Sequence, residues 1–514
     1  MPEHPSTIDA LLRNRAARHG RKPAVIDPAS RVSYDDLDAT TRDIAAAFVA
    51  AGVGKGTRVG LIMPNGVRWV QIALALTRIG AVLVPLSTLL AARELIAQLR
   101  IAAVQFLISV EEFRGHRYLD ELNGQRARLP ALRRVWPAGQ VTHTTPADAA
   151  AGIVDKLTAA VTASDPLVIM FTSGSSGPPK GVVHSHGNAL AAVQSGLTAR
   201  CIDSSTRLYL PMPFFWVGGF GSGILSALLA GATLVTEEIP QPQTTLRLLE
   251  RERVTLFRGW PDQAAALARH ADSVLADLSA LRPGSLEALL PPQHRAPEPR
   301  ARAKLFGMTE AFGPYCGYPA DTDMPRSAWG SCGRPFEGME VRIVDPDTGR
   351  PVPTGTVGCI QIRGPHTLRG VCRRSREELF TTDGFYPTGD LGHLDADGFM
   401  FYHGRSDDMF KVSGATVYPS EVEHALRTID GVDNAFVTNL TGANGDQVAT
   451  AVVCDTATTT ADQLRDAARK LLSAFKVPTV WLLVDCGDAI PRGSTGKVDT
   501  RRLRDMLAES SSRV

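Results

Sequence analysis

The stretch "PLVIMFTSGSSGPPKGVVHSHGNALAAVQSGLTA", residues 166–199, decides the fold, because a strand, a glycine-rich loop and a helix follow one another within it. Residues 166–172 are apolar and β-prone, and the helical pattern begins near His186. A loop in this position lies outside the carboxyl end of a strand, where α/β proteins bind ligands. Both neighbours are strongly patterned, which argues against a flexible linker.

The residues of this loop indicate phosphate binding. Gly174, Gly177 and Gly181 let backbone N–H groups converge on one point, and the Ser and Thr hydroxyls extend that anion-binding concavity. Lys180 adds positive charge, and it is one of nine lysines in a chain that has 46 arginines. A proline precedes Lys180 and a glycine follows it, so the loop is not a Walker sequence.

The alternation of strand and helix continues on both sides of the loop. Strands are predicted at "TRVGLIMPN", "AVLVPLS", "TRLYLPMP", "TLVTEE" and "TLFRGWP". Helices are predicted at "VRWVQIALALTRIG", "GGFGSGILSALLAGA" and "QTTLRLLERERV". Strands that alternate with helices form a parallel sheet covered on both faces. We therefore predict an α/β protein with a large N-terminal domain of doubly wound sheets.

The pattern changes toward the C-terminus. From about Ser327, short β runs separated by turn signals predict a β-rich subdomain over residues 327–404, within an N-terminal domain of residues 1–404. After "GRSDDMFKVSG" helices and strands mix again. We predict a small, mobile α+β C-terminal domain over residues 405–514, with the boundary near Gly404 to Asp408.

Composition excludes several classes of protein. Of the 514 residues, 44% are hydrophobic and 21% are charged, which is typical of a globular protein. The formal net charge of +2 gives no overall field that would attract nucleic acid. No apolar run reaches the about 18 residues of a membrane span, and no secretory leader begins the chain, so we expect a cytoplasmic protein. The seven scattered cysteines form no CxxC pair and predict reduced thiols.

The glycine-rich loop and four later segments resemble the motifs of one known family. "TSGSSGPPKG" resembles the signature loop of the adenylate-forming (ANL) superfamily, which includes acyl-CoA synthetases, peptide-synthetase adenylation domains and luciferases. Four further segments match in the same order: "PFFWVGG" (213–219), "LFGMTEAFG" (305–313), "YPTGDLGHLDADGFMFYHGRSDDMFKVSGATVYPSEVE" (386–423) and "IPRGSTGKVDTRRL" (490–503). The resemblance covers essentially the whole chain. It implies an AMP-forming acyl-CoA synthetase, which activates a carboxylic acid with ATP and passes the acyl group to coenzyme A.

The resemblance also implies an ATP site. The residues expected to close over the β and γ phosphates are Thr172, Ser173, Gly174, Ser175, Ser176, Gly177 and Lys180. Glu310 resembles the magnesium-binding glutamate of the family and Thr309 its phosphate-contacting threonine. A carboxylate beside phosphates is repulsive unless a cation bridges them, which is the physical reason to expect Mg2+. Phe306 stands where the family usually has tyrosine, and its ring can still stack on adenine.

Further roles follow from the C-terminal motifs. Asp390 resembles the aspartate that accepts hydrogen bonds from both ribose hydroxyls, and Arg405 resembles a second ribose or phosphate contact. Lys497 resembles the catalytic lysine that reaches the reacting carboxylate. Asp407 matches the hinge about which the small domain rotates between the two half-reactions. Gly414 corresponds to a glycine that lets pantetheine pass, although a simple turn glycine is the alternative.

Two departures from the family bear on the acid. The family most often has histidine at the position of Trp216, in a segment that also holds Phe215 and Gly219. The indole either narrows the acyl pocket, shields the adenylate from water, or is a buried structural side chain. Residues 283–303 replace a strand and a small-residue loop that commonly form one pocket wall. Arg258 lies on a strand that usually lines this pocket and could meet an anionic group if it points inward.

Alternatives to a CoA ligase remain open. The acceptor could instead be a carrier protein, or the enzyme could activate nitrite for attack by an aryl amine. A regulatory pseudoenzyme is disfavoured because Lys497, Glu310 and Asp390 are all retained. The sequence specifies neither the acid nor the oligomeric state.

Overall fold

The fold is described from a computed structural model. The structure describes residues 5–122, 124–141, 148–172, 179–406, 408, 410–412, 415–442, 445–472, 474–493 and 498–511. The backbone divides into two compact units, and each is treated by itself below. Unit 1 comprises residues 1–340 and 362–386, and unit 2 comprises residues 341–361 and 387–514. The domain boundary expected near residues 404–408 stays a prediction.

The helices of unit 1 cover both faces of its large sheets. They are α1 (Ile8–His19), α2 (Tyr34–Ala50), α3 (Val67–Arg78), α4 (Ala92–Ile101), α5 (Tyr118–Leu122), α6 (Asp148–Ala160), α7 (His186–Ser195), α8 (Ser226–Ala230), α9 (Pro242–Arg251) and α10 (Pro261–Val274). Helix α2 shows how the sequence sets a helix start. The Ser33 side chain accepts a hydrogen bond from the Asp36 backbone amide, and the acidic residues of the first turn interact favourably with the helix dipole. A π-helical segment, Gly218–Leu225, leads directly into α8.

The strands of the first part of unit 1 form two sheets. They are β1 (Pro23–Ile26), β2 (Arg31–Ser33), β3 (Arg58–Ile62), β4 (Val82–Pro85), β5 (Phe106–Ser109), β6 (Arg134–Pro137), β7 (Pro166–Thr172), β8 (Lys180–Ser185), β9 (Arg207–Tyr209), β10 (Thr233–Val235) and β11 (Leu256–Phe257). One sheet has the order β11-β9-β10-β1-β2, and β9, β10, β1 and β11 run parallel. A large apolar core includes the buried Trp69, Leu83 and Phe214.

The remaining strands complete the chain. They are β12 (Phe306–Met308), β13 (Gly313–Gly317), β14 (Arg334–Pro335), β15 (Glu340–Val344), β16 (Gly358–Arg363), β17 (Gly370–Val371), β18 (Tyr386–Leu394), β19 (Met400–Arg405), β20 (Phe410–Val412), β21 (Ala415–Val417), β22 (Val432–Gly442), β23 (Gly445–Cys454) and β24 (Val480–Val484). The seven-stranded sheet of unit 1 has the order β17-β8-β7-β4-β3-β5-β6. A small antiparallel sheet, β12-β13-β14, carries the "FGMTE" segment.

The path after the glycine-rich loop differs from the sequence expectation. The sequence suggested that the loop leads directly into a helix, but β8 intervenes and pairs antiparallel with β7. The loop therefore connects the two strands of a β-hairpin near one end of the sheet, where β17 is the edge strand and β8 runs antiparallel to both of its neighbours. The physical reason is the pair Val182 and Val183, which are β-branched residues that extend the sheet before α7 begins at His186.

Unit 2 holds nearly all of a four-stranded sheet, β15-β16-β18-β19, and a three-stranded sheet, β22-β23-β24. Its helices are α11 (Pro419–Leu426), α12 (Ala461–Leu471) and α13 (Thr500–Ser511). The long hairpin β22–β23 and helices α11 and α12 share a core around Val422, Leu464 and Val452. These elements fall where the sequence pattern placed them.

Two expectations about the whole chain can be compared with the structure. All seven cysteines are free in the structure. Among the described residues, no helix combines the length and apolar character that crossing a bilayer requires. Residues 283–303 are fully described and contain three short 3-10 helices but no strand, in agreement with the altered sequence of this segment.

Candidate active site

The base of the glycine-rich loop is well defined. Thr172 ends β7, Lys180 begins β8, and the two residues are paired across the hairpin. Thr172 is partly buried and Lys180 is exposed. The structure therefore brings these two predicted phosphate ligands together at the mouth of the loop. The other predicted phosphate ligands lie outside the described residues: Ser173, Gly174, Ser175, Ser176 and Gly177.

The "FGMTE" segment forms a tight turn between β12 and β13. Thr309 and Glu310 lie in a single 3-10 turn, and the next residue but one, Phe312, has a left-handed backbone with φ of 52°. The two strands approach so closely that a Cβ on Gly307 would lie 2.0 Å from the Gly313 carbonyl oxygen. Only glycine fits there. Phe306 lies at the start of β12, partly exposed, with its ring edge-on to Tyr315.

Glu310 presents a buried carboxylate. Its side chain is 7% exposed, and the Tyr386 hydroxyl donates a 3.4 Å hydrogen bond to Oε1. The Leu368 amide donates to the Glu310 carbonyl at 2.8 Å and fixes the backbone. Within the described ranges, no Lys, Arg or His forms an ion pair with this carboxylate. Burial of an ionised carboxylate without a charged partner costs free energy, and a cation bound beside it offsets that cost.

The donor set around Glu310 fits magnesium bound to a nucleotide. No group of three His, Cys, Asp or Glu side chains among the described residues is arranged to hold a metal ion. Mg2+ in nucleotide sites is commonly held by one or two carboxylates, with phosphate oxygens and water supplying the other ligands. One buried carboxylate at this turn is therefore consistent with that arrangement.

A histidine that the sequence analysis did not single out holds this turn. His184 Nε2 donates to the Thr309 carbonyl oxygen at 2.7 Å, and its Nδ1 accepts from Asn188 Nδ2 at 2.7 Å. The tautomer follows from the partners, because a carbonyl only accepts and an amide nitrogen only donates. Asn188 Nδ2 also donates to the His366 carbonyl, and its Oδ1 accepts from the Ser185 amide. The network joins β8, α7 and the "FGMTE" turn.

The electrostatic state of His184 is fixed by burial. The side chain is fully buried, and desolvation lowers its pKa to about 4. His184 is consequently neutral at physiological pH and acts as a hydrogen-bonding strut. Its ring also stands edge-on to Phe312, with 4.9 Å between centroids. The only sequence signal was "HSHGN", in which two histidines and an asparagine follow a strand.

An aromatic cluster lies beyond the ends of β9 and β11. The Trp216 ring is 5.7 Å from the Trp260 ring and 5.6 Å from the Phe215 ring, and both pairs are edge-to-face. Phe215 is buried, whereas both indoles are partly exposed. Trp260 was not predicted as a site residue, although "RGWP" places an indole directly after a strand. Trp216 thus has a partly exposed face and aromatic neighbours.

The backbone that carries Trp216 is held from two sides. Asn65, in the loop after β3, donates from Nδ2 to the Met212 carbonyl at 2.9 Å and accepts from the Phe214 amide at 2.8 Å. Gly219 packs on the same backbone, and a Cβ there would lie 2.1 Å from the Pro213 carbonyl oxygen. This contact gives Gly219 a structural reason to be glycine that is independent of any passage of substrate.

Arg258 follows β11 and is partly buried. Its Nη1 donates to the Gly284 carbonyl oxygen at 2.7 Å, and its backbone amide donates to Tyr209. Gly284 belongs to the altered segment 283–303. The segment without a strand therefore supplies the carbonyl that holds this guanidinium.

Unit 2 contains the two remaining described site residues. Asp390 on β18 and Arg405 on β19 are cross-strand partners, and Arg405 Nη1 donates to Asp390 Oδ1 at 3.2 Å and to the Thr388 carbonyl at 2.9 Å. The Asp390 side chain is 8% exposed and that of Arg405 is 38% exposed. Arg405 thus orients Asp390. The predicted hinge, passage and catalytic residues Asp407, Gly414 and Lys497 lie outside the described residues.

The chain matches a known protein family and named relatives along most of its length. A sequence profile of the family described as AMP-binding enzyme matches residues 12–372. The chain is 32% identical over 520 residues to a methyl-dioxo-octahydro-indenyl-propanoyl:CoA ligase of Mycobacterium tuberculosis, with 98% of each protein covered. It is 30% identical over 504 residues to the 3-hydroxybenzoate–CoA ligase of Aromatoleum sp. (strain CIB), with 95% of this chain and 94% of that protein covered.

The fold has solved counterparts. The crystal structure of an anthranilate CoA ligase in complex with anthranoyl-AMP matches with a TM-score of 0.80 at 23% identity, covering 100% of this chain and 99% of that one. This likeness confirms the α/β fold class expected from the sequence.

Proposed function

The chain belongs to the AMP-binding enzyme family, and from that premise we propose the reaction that it catalyses. It is an ATP-dependent, AMP-forming acid–CoA ligase. A carboxylate oxygen attacks the α-phosphorus of ATP and pyrophosphate leaves; the thiol of coenzyme A then attacks the acyl carbon and AMP leaves. The observation that carries this proposal is that relatives named as CoA ligases match along 94% or more of their own length.

The first half-reaction needs neutralised phosphates, and we assign that task within unit 1. Thr172 and Lys180 border the loop that would close on the β and γ phosphates. Glu310 would hold Mg2+, which supplies charge neutralisation and orients the triphosphate when bound. His184 and Tyr386 keep the Thr309–Glu310 turn in place. Lys497, Asp407 and Gly414 keep the catalytic, hinge and passage roles that the resemblance implies.

The acid substrate carries a ring. The two relatives described above are named for acids with a bicyclic or a benzene ring, and the partly exposed faces of Trp216 and Trp260 suit a flat apolar body. Aromatic side chains bind such bodies through large contact area and edge-to-face geometry. The indole at position 216 therefore takes the role of a pocket wall.

The experiment that tests this function measures pyrophosphate release with a panel of ring-bearing and aliphatic carboxylic acids, with and without coenzyme A, followed by product mass. We expect turnover that requires Mg2+ and yields a thioester. Glu310→Gln, which keeps the shape and removes the charge, should raise the Mg2+ concentration needed for half-maximal rate. Glu287→Gln, a change in a carboxylate outside this turn, is the control and should leave that concentration unchanged.

A second pair of variants addresses the lysine. Lys497→Ala should abolish pyrophosphate release, whereas Lys476→Ala, which removes a lysine paired with Glu421, should not. Turnover without coenzyme A that leaves no thioester product would contradict the assigned acceptor and favour a carrier protein or an amine instead.

A further inference from the structure

A pocket on unit 1 is lined mainly by arginines. It has a volume of about 520 Å³ and lies at the C-terminal end of α9. That volume falls within the range of about 300–1,000 Å³ in which small-molecule sites are found. Seven residues line the pocket: Arg31, Arg207, Arg251, Glu252, Arg253, Thr255 and Ala280. Four positive charges and one negative charge therefore surround the same space.

The carboxylate of the pocket is buried and bonded at both of its oxygens. Arg31 Nη2 lies 2.7 Å from Glu252 Oε2, and Arg207 Nη2 lies 2.9 Å from the same oxygen. Arg251 Nε lies 3.1 Å from Oε1, and Arg207 Nε donates to the Glu252 carbonyl oxygen. Because two Nη2 atoms share one oxygen, their guanidiniums lie side by side. Glu252 thus holds three guanidiniums in place at this pocket.

The chain balances a structural arginine in the opposite way. Arg78 is fully buried, and its Nη2 lies 2.7 Å from Asp9 Oδ1 and 3.0 Å from Asp38 Oδ1. Two carboxylates surround one guanidinium there, whereas three guanidiniums surround one carboxylate at Glu252. A single guanidinium balances the charge of a buried carboxylate, and further ones repel each other. Burial of Glu252 therefore does not explain the second and third arginines.

Arg253 adds a fourth cation to the pocket. Its φ of 44° lies in the left-handed region that favours glycine, which is the usual residue just after a helix. Its side chain is exposed and makes no hydrogen bond or ion pair within the described ranges. Hydrogen bonds from Ser279 and then the charge of Arg253 lower the pKa of the exposed Asp277. Even with that carboxylate counted, the positive charges exceed the negative ones.

The guanidiniums keep donors for a ligand. Each guanidinium has five N–H groups, and Arg31 and Arg251 each use one nitrogen in their bonds to Glu252. In the part of the chain that the structure describes, the Nη1 groups of Arg31, Arg207 and Arg251 have no partner. The side chains of Arg31 and Arg251 are 52% and 57% exposed, so a small anion reaches them from solvent.

The position of the pocket separates it from the site assigned to the reaction. Arg207 is the first residue of β9 and Thr255 immediately precedes β11, so the pocket lies at the amino ends of these two parallel strands. Arg258 and Trp260, which were considered for the acid, follow the carboxyl end of β11. Ligands of parallel sheets usually bind at the carboxyl ends. An anion held at the amino ends would therefore occupy a second site.

We propose that this pocket binds an oligophosphate, a chain of two or three phosphates that is free or part of a nucleotide. The inference goes beyond the proposed function and does not depend on it. An oligophosphate carries several negative charges along a short chain, which matches several guanidiniums around one cavity, and each guanidinium fork matches two phosphate oxygens. Glu252 holds three of the forks before the ligand arrives, so little freedom is lost on binding.

The experiment titrates the full-length protein with inorganic tripolyphosphate in a calorimeter. EDTA is present, so that a cation at Glu310 does not contribute. We expect one molecule to bind per chain, with an affinity that falls as NaCl is added, because salt screens exposed charges. Arg251→Gln and Arg253→Gln should each raise the Kd about 10-fold, since each removes one charge-assisted contact. Arg253→Gln breaks no described bond of the fold, so its effect on Kd is not a folding defect.

Two control variants and a second readout accompany the titration. Arg247→Gln removes an arginine of the same helix that is 58% exposed and pairs with Glu250, and it should keep the wild-type Kd. Lys180→Gln, at the base of the glycine-rich loop, should keep it as well. Tripolyphosphate should raise the melting temperature of the wild-type protein but not that of the double variant Arg251→Gln/Arg253→Gln. Titrations with ATP and with coenzyme A identify the source: tighter binding than tripolyphosphate assigns a nucleotide, and equal binding assigns the inorganic chain.

Several results would overturn the inference. Wild-type Kd values in both Arg251→Gln and Arg253→Gln would show that the pocket is not the binding site, and loss of binding in Lys180→Gln alone would place the anion at the glycine-rich loop. Citrate or sulfate that binds as tightly as tripolyphosphate would indicate attraction of any anion. Absence of binding by every oligophosphate would also overturn it. None of these measurements involves turnover, so failure of the proposed reaction remains a separate result.

Discussion

Replacing His184 with leucine should loosen the Thr309–Glu310 turn. The change removes two 2.7 Å hydrogen bonds, one to the Thr309 carbonyl and one from Asn188 Nδ2. Each group left behind keeps one partner, since the Phe312 amide still donates to Thr309 and Asn188 still donates to the His366 carbonyl. The loss is therefore about 1 kcal/mol for each bond, at the low end of the cost of a buried polar group.

The aromatic contact adds to this loss. The edge-to-face contact of His184 with Phe312 contributes about 0.5–1 kcal/mol, and leucine recovers only part of it. Because His184 is neutral at pH 7, its replacement removes no charge–charge interaction. The free energy of unfolding should fall by about 2–3 kcal/mol in His184→Leu, measured by urea denaturation. The kcat of pyrophosphate release should fall about 10- to 100-fold at saturating substrates, because a displaced Thr309–Glu310 turn no longer aligns the phosphates.

His184→Gln supplies the control. A glutamine amide reaches the place of the imidazole Nε2 and can donate to the Thr309 carbonyl, but it offers Asn188 no acceptor at the place of Nδ1. Relative to His184→Leu, His184→Gln should therefore restore a larger share of the lost kcat than of the lost unfolding free energy. The reasoning is refuted if His184→Leu unfolds within about 0.5 kcal/mol of the wild-type enzyme and keeps its kcat.

Three other predictions follow from the same geometry. Gly219→Ala should lower the free energy of unfolding by about 2 kcal/mol or more, because the added Cβ would lie 2.1 Å from a backbone oxygen. Gly152→Ala, on α6 with open space around it, should instead raise the free energy of unfolding by about 0.5 kcal/mol. Equal changes in the two variants, measured by urea denaturation, would contradict the packing argument. The free energy of unfolding should fall as the pH is lowered from 6.5 to 4, by up to about 4 kcal/mol per pH unit, because the unfolded chain binds protons that three buried histidines of pKa about 4 do not bind in the folded state. These histidines are His184, His186 and His366. Urea denaturation at pH 7, 6 and 5 checks this. An unfolding free energy that does not change with pH would contradict it. Arg405→Met should raise the KM for ATP, and it should change the unfolding free energy by less than about 1 kcal/mol because the Arg405–Asp390 ion pair is partly exposed. Steady-state kinetics with varied ATP measures the KM. An unchanged KM would contradict the assignment of Asp390 and Arg405 to the ribose.

Local pattern was enough to predict the alternation of strands and helices. Periodicity marked α3 and α9, and the apolar runs marked β3, β4 and β7, because each signal lies within a few residues. It was not enough for β8. Only two of its six residues are β-branched, which is a weak signal for a strand. The strand is defined by its pairing with β7, which the local pattern does not show.

The network around the turn could not be read from the sequence. His184 and Thr309 are separated by 125 residues, and no spacing rule relates them. The same holds for Asn65, which clamps the backbone before Trp216 from a loop 149 residues away. The sequence marked Arg258 as a possible anion contact, but it gave no sign that the Gly284 carbonyl, 26 residues along the chain, holds its guanidinium.

The hairpin β7–β8 separates the glycine-rich loop from helix α7. Six residues of β8, at about 3.3 Å each, place the first turn of α7 roughly 20 Å along the chain from Lys180. The field of a helix N-terminus fades within about one turn, so the dipole of α7 contributes nothing to a phosphate held by the loop. In the proposed reaction, charge neutralisation there would fall to Lys180 and to a bound cation. Loss of the Ser185 cap of α7 should consequently weaken the fold without changing nucleotide affinity.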